Sequence, residues 1–176
     1  MHSFPDLINR CTAFTLGALE EVNARTINAL QTSGATALIK TLQMIRLQKT
    51  IMAVGMFSLF EATLQESLNC KNGFAEAKNI LDQNGDAAIL ERFNDLELAI
   101  NVLKHGLGRS YHALIAKSGG TLQTYVKQLN YQVSDEGEVS EIATLIEVDD
   151  KFIGHCAEVI EQVSVIIRNI RPDSFI

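Results

Sequence analysis

The sequence contains no tryptophan, only two prolines and three widely spaced cysteines among its 176 residues. The shortage of proline, with a body rich in Leu, Ile, Ala, Gln and Glu, favours helix over sheet, because straight-chain side chains lose little rotamer freedom in a helix. Cys11, Cys70 and Cys156 have no CxxC spacing, which excludes the common zinc and dithiol motifs. We expect Cys11 and Cys156, which lie on apolar helical stripes, to be buried reduced thiols suited to the cytoplasm, and Cys70 to be exposed.

Patterns for metal binding, secretion and membrane insertion are also missing. HExxH, HxxxH and carboxylate-x-x-His spacings do not occur, so we expect no metal and no cofactor. The longest apolar run, Ile51 to Phe60, is about half of the ~20 residues that a membrane-spanning helix needs. The first residues carry no cationic segment followed by an apolar run, so they do not resemble a secretory signal. These features predict a cytoplasmic protein that does not contact a membrane.

The charge balance is acidic. A net charge of −6 and a pI near 5.2 argue against a general nucleic-acid coat, which would need a basic face to displace counterions from phosphates. Acidic side chains are sparse in the first sixty residues, where Lys40, Arg46 and Lys49 lie, and crowd the last third. The composition therefore does not exclude a local basic patch on the surface.

The length and a hydrophobic content of 47% predict one domain over residues 1–176. Apolar residues at helical spacing predict an all-α, up-and-down bundle of four to five helices. The first helix begins near Pro5, and its apolar stripe is Leu7, Cys11, Phe14, Ala18 and Val22. Further helices are predicted from Ala35 to about Asn69, from Phe74 to Asp82, from Asp86 to His105, and from Asp149 or Asp150 to before Pro172.

The helix after Asp86 has the most regular pattern. Its stripe alternates steps of four and three residues, as an antiparallel bundle requires, and consists of Ile89, Phe93, Leu96, Ile100 and Leu103. Before the last helix, apolar and polar residues alternate around Leu129, Tyr131 and Val133, and Thr144 to Val148 is rich in β-branched residues. This pattern predicts a small hairpin or loop excursion across the acidic segment 135–138.

Groups that can do chemistry are concentrated where the Asp86 helix ends. Glu97, Asn101 and His105 are successive i,i+4 positions, so they lie along one edge of that helix. Lys104 precedes His105, and the turn Gly106-Leu107-Gly108-Arg109-Ser110 follows it. The candidate catalytic residues are therefore His105 and Asn101.

An imidazole beside cations suits metal-free RNA cleavage. His105 would exchange a proton with a ribose hydroxyl or leaving oxygen, while Arg109, Lys104 and Ser110 hold a phosphate. Supporting groups are Glu61, Glu97 and His112. The alternative is structural: His105 caps the last carbonyls of its helix and Arg109 is an ordinary surface cation.

A long second helix carrying Phe60-Glu61, with a later helix ending in Asn101-Val102-Leu103-Lys104-His105-Gly106, resembles the HEPN superfamily of prokaryotic and eukaryotic nucleotide-binding domains. Active members of that family carry an Arg, commonly followed by a polar residue, and a His after four to six intervening residues. Aligned on His105, Asn101 matches the polar position. The Arg position falls on Ile100, which departs from the motif.

The resemblance implies a homodimer that brings two such motifs into one cleft. It also implies RNA cleavage, or binding of RNA or a nucleotide with catalysis weakened or lost, in phage defence, toxin–antitoxin pairs or RNA processing. A second hypothesis is a non-enzymatic helical interaction module, in which the turn after His105 is a helix cap and the acidic segment 135–141 binds another protein. The missing Arg and the acidic pI support this alternative.

Overall fold

The protein is an α-helical bundle in a computed structural model that describes residues 3–117, 122–127, 144–174 and 176. Its helices are α1 (Phe4–Leu30), α2 (Thr36–Ser67), α3 (Gly73–Asn84), α4 (Ala87–His105), α5 (Arg109–Ala116), a 3-10 helix (Gln123–Tyr125) and α6 (Asp150–Ile170). The all-α prediction is confirmed. The described residues form six α-helices, which exceeds the predicted four to five, because Arg109–Ala116 is helical where a turn was expected.

The core is built around four phenylalanine rings. Phe57 and Phe60 of α2 meet Phe74 of α3 and Phe93 of α4, with ring centroids 5.1 to 6.3 Å apart. Edge-to-face pairs at such distances add to the free energy gained by burying the rings. Helix α6 packs against α1, α2, α3 and α4, and so closes the bundle around this cluster.

Helix α1 does not bury its predicted stripe. Leu7 is 52% exposed and Phe14 is 79% exposed, and Cys11 and Ala18 also lie at the surface. The prediction that Cys11 is buried was therefore wrong. Cys156 is buried, as predicted, and Cys70 is partly buried.

The buried residues of α1 are Pro5, Ile8, Thr12 and Thr26, and Phe4 and Leu16 pack against the core beside them. Thr26 is accommodated there because its hydroxyl donates a hydrogen bond to the Val22 carbonyl at 2.7 Å within the same helix. The threonines interrupt the apolar pattern of this inner face, and the two long helices α1 and α2 are left with an exposed apolar surface.

The segment before α6 meets the segment after α5 at one antiparallel bridge, between Val126 and Ile146. Lys127 N–H donates to Leu145 O at 2.9 Å, and Glu147 N–H donates to Tyr125 O at 2.8 Å. The predicted hairpin residues 129–133 and the acidic segment 135–141 lie outside the described residues.

None of the helices in the described part combines the length and the apolar content needed to cross a membrane.

Candidate functional site

The polar residues predicted as a site lie where α4 gives way to α5. Helix α4 ends because Gly106 adopts a φ of +71°, while its N–H donates to Val102 O at 2.7 Å. Gly108 is the N-cap of α5, so Arg109 and Ser110 form its first turn and do not belong to a free loop. We call the surface formed by Lys104, His105, Arg109, Ser110 and His112 the α4–α5 corner.

Two buried side chains fix α5 in place. Tyr111 is 1% exposed and Leu114 is 3% exposed, and the Tyr111 hydroxyl donates to Lys127 O at 2.9 Å. His112 packs edge-on against the Tyr111 ring, with centroids 5.7 Å apart. The polar residues of α5 are thereby held next to the end of α4.

The α4–α5 corner carries cationic groups at the surface of an acidic protein. Lys104, His105, Arg109 and His112 are exposed, and none forms an ion pair with another described residue. The N-cap Gly108 supplies no side-chain acceptor for the first amide groups of α5. An uncapped helix N-terminus beside fixed cations attracts anions, phosphate groups in particular.

The predicted site residues fall into two groups, of which one lines a small polar cavity and the other does not. The cavity has a volume of about 120 Å³ between α2, α4 and the start of α3, and its polar lining is Ser58, Glu61, Asn72, Glu97, Asn101 and Lys104. Glu61 and Glu97 thus line the same cavity as Asn101, and this proximity is what their predicted supporting role requires. His105, Arg109, Ser110 and His112 do not line this cavity.

The acidic side of the cavity is already partly neutralised. Glu97 forms an ion pair with Lys78 of α3, and its side chain is 24% exposed. Glu97 and Asn101 thus lie in the wall of the cavity, whereas His105, the third residue of the predicted α4 edge, lies outside it.

Ile100 occupies the position where the HEPN motif has its Arg, and it is 3% exposed in the core. It packs in the core and also borders the polar cavity beside Asn101, where it supplies no charge. Arg109 lies beyond Gly106 and Gly108 on the next helix, so it cannot occupy the position of Ile100. It shares the α4–α5 corner with His105 but not the cavity with Asn101.

A second cavity was not predicted. It has a volume of about 270 Å³ between α1, α2 and the segment before α6, and its lining includes Arg46, Lys49, Lys127, Glu147 and Asp149. Lys49 Nζ lies 2.6 Å from a carboxylate oxygen of Asp150. The surplus of cations in the first sixty residues was the only signal of this cavity, since Lys127 and the acidic residues come from distant parts of the chain.

Among the described residues, no group of three or more His, Cys, Asp or Glu side chains is placed to hold a metal ion.

Comparison of the chain with protein-family models, with curated proteins and with solved structures finds no match. The HEPN resemblance thus rests on the short motif ending at His105, and the assignment stays a prediction.

Proposed function

We propose that this protein is HEPN-like and binds RNA through phosphate contacts at the α4–α5 corner, with its capacity for metal-independent cleavage reduced or lost. The observation that carries the proposal is the pair of exposed cations Lys104 and Arg109, with the exposed imidazoles of His105 and His112, around the uncapped start of α5. Phosphate groups bind to cations beside a helix N-terminus that no side chain caps, and the α4–α5 corner offers both.

Reduced catalysis follows from two features of the same region. Ile100 supplies no cation at the motif position, and Asn101 faces a cavity that His105 does not line. A proton-transfer group and a phosphate clamp must lie within hydrogen-bond reach of one substrate to act together. His105 would transfer a proton to or from RNA only with Arg109 or Lys104 as its electrostatic partner.

The experiment measures binding of a fluorescently labelled single-stranded RNA to the full chain by polarisation. We expect Lys104→Ala and Arg109→Ala each to raise Kd severalfold and to lower the salt slope by about 1, the effect of losing one phosphate contact. Lys40→Ala is the matched control, because Lys40 is an exposed cation on α2 without an ion pair to a described residue. Absence of RNA binding, or an equal loss with Lys40→Ala, would contradict the proposal.

Cleavage is a separate readout of the same RNA, followed on a gel in the presence of EDTA. Weak cleavage that His105→Ala abolishes would assign His105 a catalytic role. Cleavage that His105→Ala leaves unchanged would show a contaminating nuclease or another site, and the assignment of His105 would be wrong.

A second candidate function is a non-enzymatic helical interaction module. The observation that favours it is the exposed apolar surface of α1 and α2, on which Phe14 is 79% exposed. The two functions use different surfaces. A substitution in the α4–α5 corner should therefore weaken RNA binding alone, and a substitution on the exposed surface of α1 and α2 should weaken protein binding alone. A homodimer and a role in phage defence or a toxin–antitoxin pair are further predictions of the HEPN resemblance. A cytoplasmic location is predicted from the cysteines and from the missing secretory and membrane-spanning patterns.

A further inference from the structure

The outer side of the α1–α2 pair exposes six large apolar side chains. We call this surface the α1–α2 outer face, and its members are Leu7, Phe14, Met44, Leu47, Ile51 and Leu59, each between 49% and 79% exposed. No charged residue occurs in residues 11–19 of α1 or in residues 50–60 of α2. These two stretches therefore carry no charge that an apolar partner would have to bury, and the charges on the α1 side lie toward its two ends.

The size of this face is that of an interface. With roughly 150–250 Å² for a large fully exposed side chain, the six residues expose on the order of 600 Å² of apolar surface. The largest apolar patch of an ordinary monomer is about 300–600 Å² and is often functional. A standard interface buries about 800 Å² on each partner, so the six side chains alone would supply most of one side.

One ring contact and one groove show how α1 and α2 lie against each other. The Phe4 ring stacks on Phe60 at 6.1 Å. Further along, a groove of about 330 Å³ is lined by Phe14, Thr15, Ala18, Leu19, Met44 and Gln48. The middle of α1, near residues 15 and 16, thus lies beside residues 44–48 of α2.

The charges at the two ends of the α1 face are complementary to each other. Asp6 and Arg10 lie at one end, with side chains 37% and 69% exposed, and Glu21 and Arg25 lie at the other end, 72% and 68% exposed. The midpoint along the chain between residues 6 and 25 is also the midpoint between residues 10 and 21, and it falls between residues 15 and 16. An antiparallel second copy of α1 centred on that midpoint would place an opposite charge against each of the four.

The same midpoint matches the shapes of the side chains. Phe14 would lie opposite Gly17 of the partner subunit, and a Cβ added at Gly17 would meet nothing within 4 Å. A large side chain over a position without one is how knobs enter holes between packed helices. On α2, Met44 and Ile51 share a midpoint between residues 47 and 48, beside the midpoint of α1, so they would face each other across the same two-fold axis.

We propose that the α1–α2 outer face binds a second copy of this chain, with α1 antiparallel to α1 of the partner subunit and Arg10 opposite Glu21 of the partner subunit. The interface is isologous, because the same surface serves both copies. None of its residues belongs to the α4–α5 corner, so this dimer differs from the one that the HEPN resemblance implies, in which two motifs share one cleft. It is therefore tested separately from RNA binding.

Analytical sedimentation of the full chain tests whether a second copy binds the α1–α2 outer face. We expect a dimer, and we expect Phe14→Glu to yield a monomer with an unchanged helical circular dichroism spectrum, because it places two charges at the centre of the interface. Leu107→Glu is the matched control, since Leu107 is 56% exposed and lies outside the face. A monomeric wild-type chain at about 100 µM, well above the Kd of a standard interface, would overturn the proposal, as would a Phe14→Glu variant that still dimerises.

A charge swap tests the register. Arg10→Glu and Glu21→Arg each place like charges at two symmetry-related contacts, and each should raise the dimer Kd about three- to tenfold. The double variant restores opposite charges and should recover most of that loss, although the pairs within α1, Asp6 with Arg10 and Glu21 with Arg25, stay disrupted. A double variant as weak as the two single changes combined would overturn the proposed register.

Discussion

Helices α1 and α4 both carry an apolar stripe at helical spacing, yet the two stripes face opposite environments. On α4, Phe93, Leu96 and Ile100 are at most 3% exposed, whereas on α1 Leu7 and Phe14 are 52% and 79% exposed. Hydrophobic periodicity shows that a helix has an apolar face, but it does not show what covers that face. Other helices of the same chain cover the stripe of α4, and we propose that a second copy of the chain covers the stripe of α1.

The difference also shows where sequence reasoning was limited. The bounds of α4 and α6 could be predicted, because Asp149 and Gly106 are capping residues and the stripes between caps are long and apolar. The orientation of α1 could not, because Thr12 and Thr26 interrupt the apolar pattern of Ile8 and Leu16 on its inner face, whereas the exposed stripe is less interrupted.

The largest effect that separates the two stripes is on folding stability. Phe93→Ala should lower the free energy of unfolding by about 3–5 kcal/mol, because it opens a cavity in the phenylalanine cluster. Phe14→Ala should change it by less than about 0.5 kcal/mol in dilute solution, where the chain is monomeric. Urea unfolding followed by circular dichroism measures both, and comparable losses in the two variants would show that Phe14 is part of the core.

A smaller effect comes from the ion pair at the edge of α4. The Arg92 side chain donates hydrogen bonds to Glu158 of α6 and holds the pKa of that carboxyl below its usual value, although partial burial opposes the shift. A lowered pKa in the folded state stabilises the protein above the unfolded pKa of the group, and this contribution is lost as pH falls through the folded pKa.

Glu158→Gln should therefore cost less than about 1 kcal/mol at pH 7, because the Glu158 side chain is half exposed, and almost nothing at strongly acidic pH. Urea unfolding at both pH values measures this, with Glu20→Gln, an exposed change on α1, as the control. A cost that stays constant between the two pH values would show that the Arg92 pair does not shift the pKa of Glu158.

The positions of the candidate site residues could be predicted in part. The sequence placed His105 and its cations at the end of α4, and the exposed α4–α5 corner lies there. It did not reveal that Arg109 begins a new helix, although Tyr111 and Leu114, an apolar pair at i,i+3 spacing, were a signal of one. Nor could spacing along α4 show that Asn101 lines a cavity without His105, because the wall of that cavity comes from α2 and α3.

The most direct test of the contrast between the stripes uses the native cysteines. Cys11 is exposed on the α1 stripe, at the edge of the α1–α2 outer face, while Cys70 lies beyond the end of α2. The alkylation rate of each thiol is measured by mass spectrometry over a range of protein concentrations that spans the monomer and the dimer. If the face is covered by a second copy, alkylation of Cys11 slows as concentration rises while that of Cys70 does not change. A Cys11 rate that is independent of concentration, in a preparation that sediments as a dimer, would contradict the account.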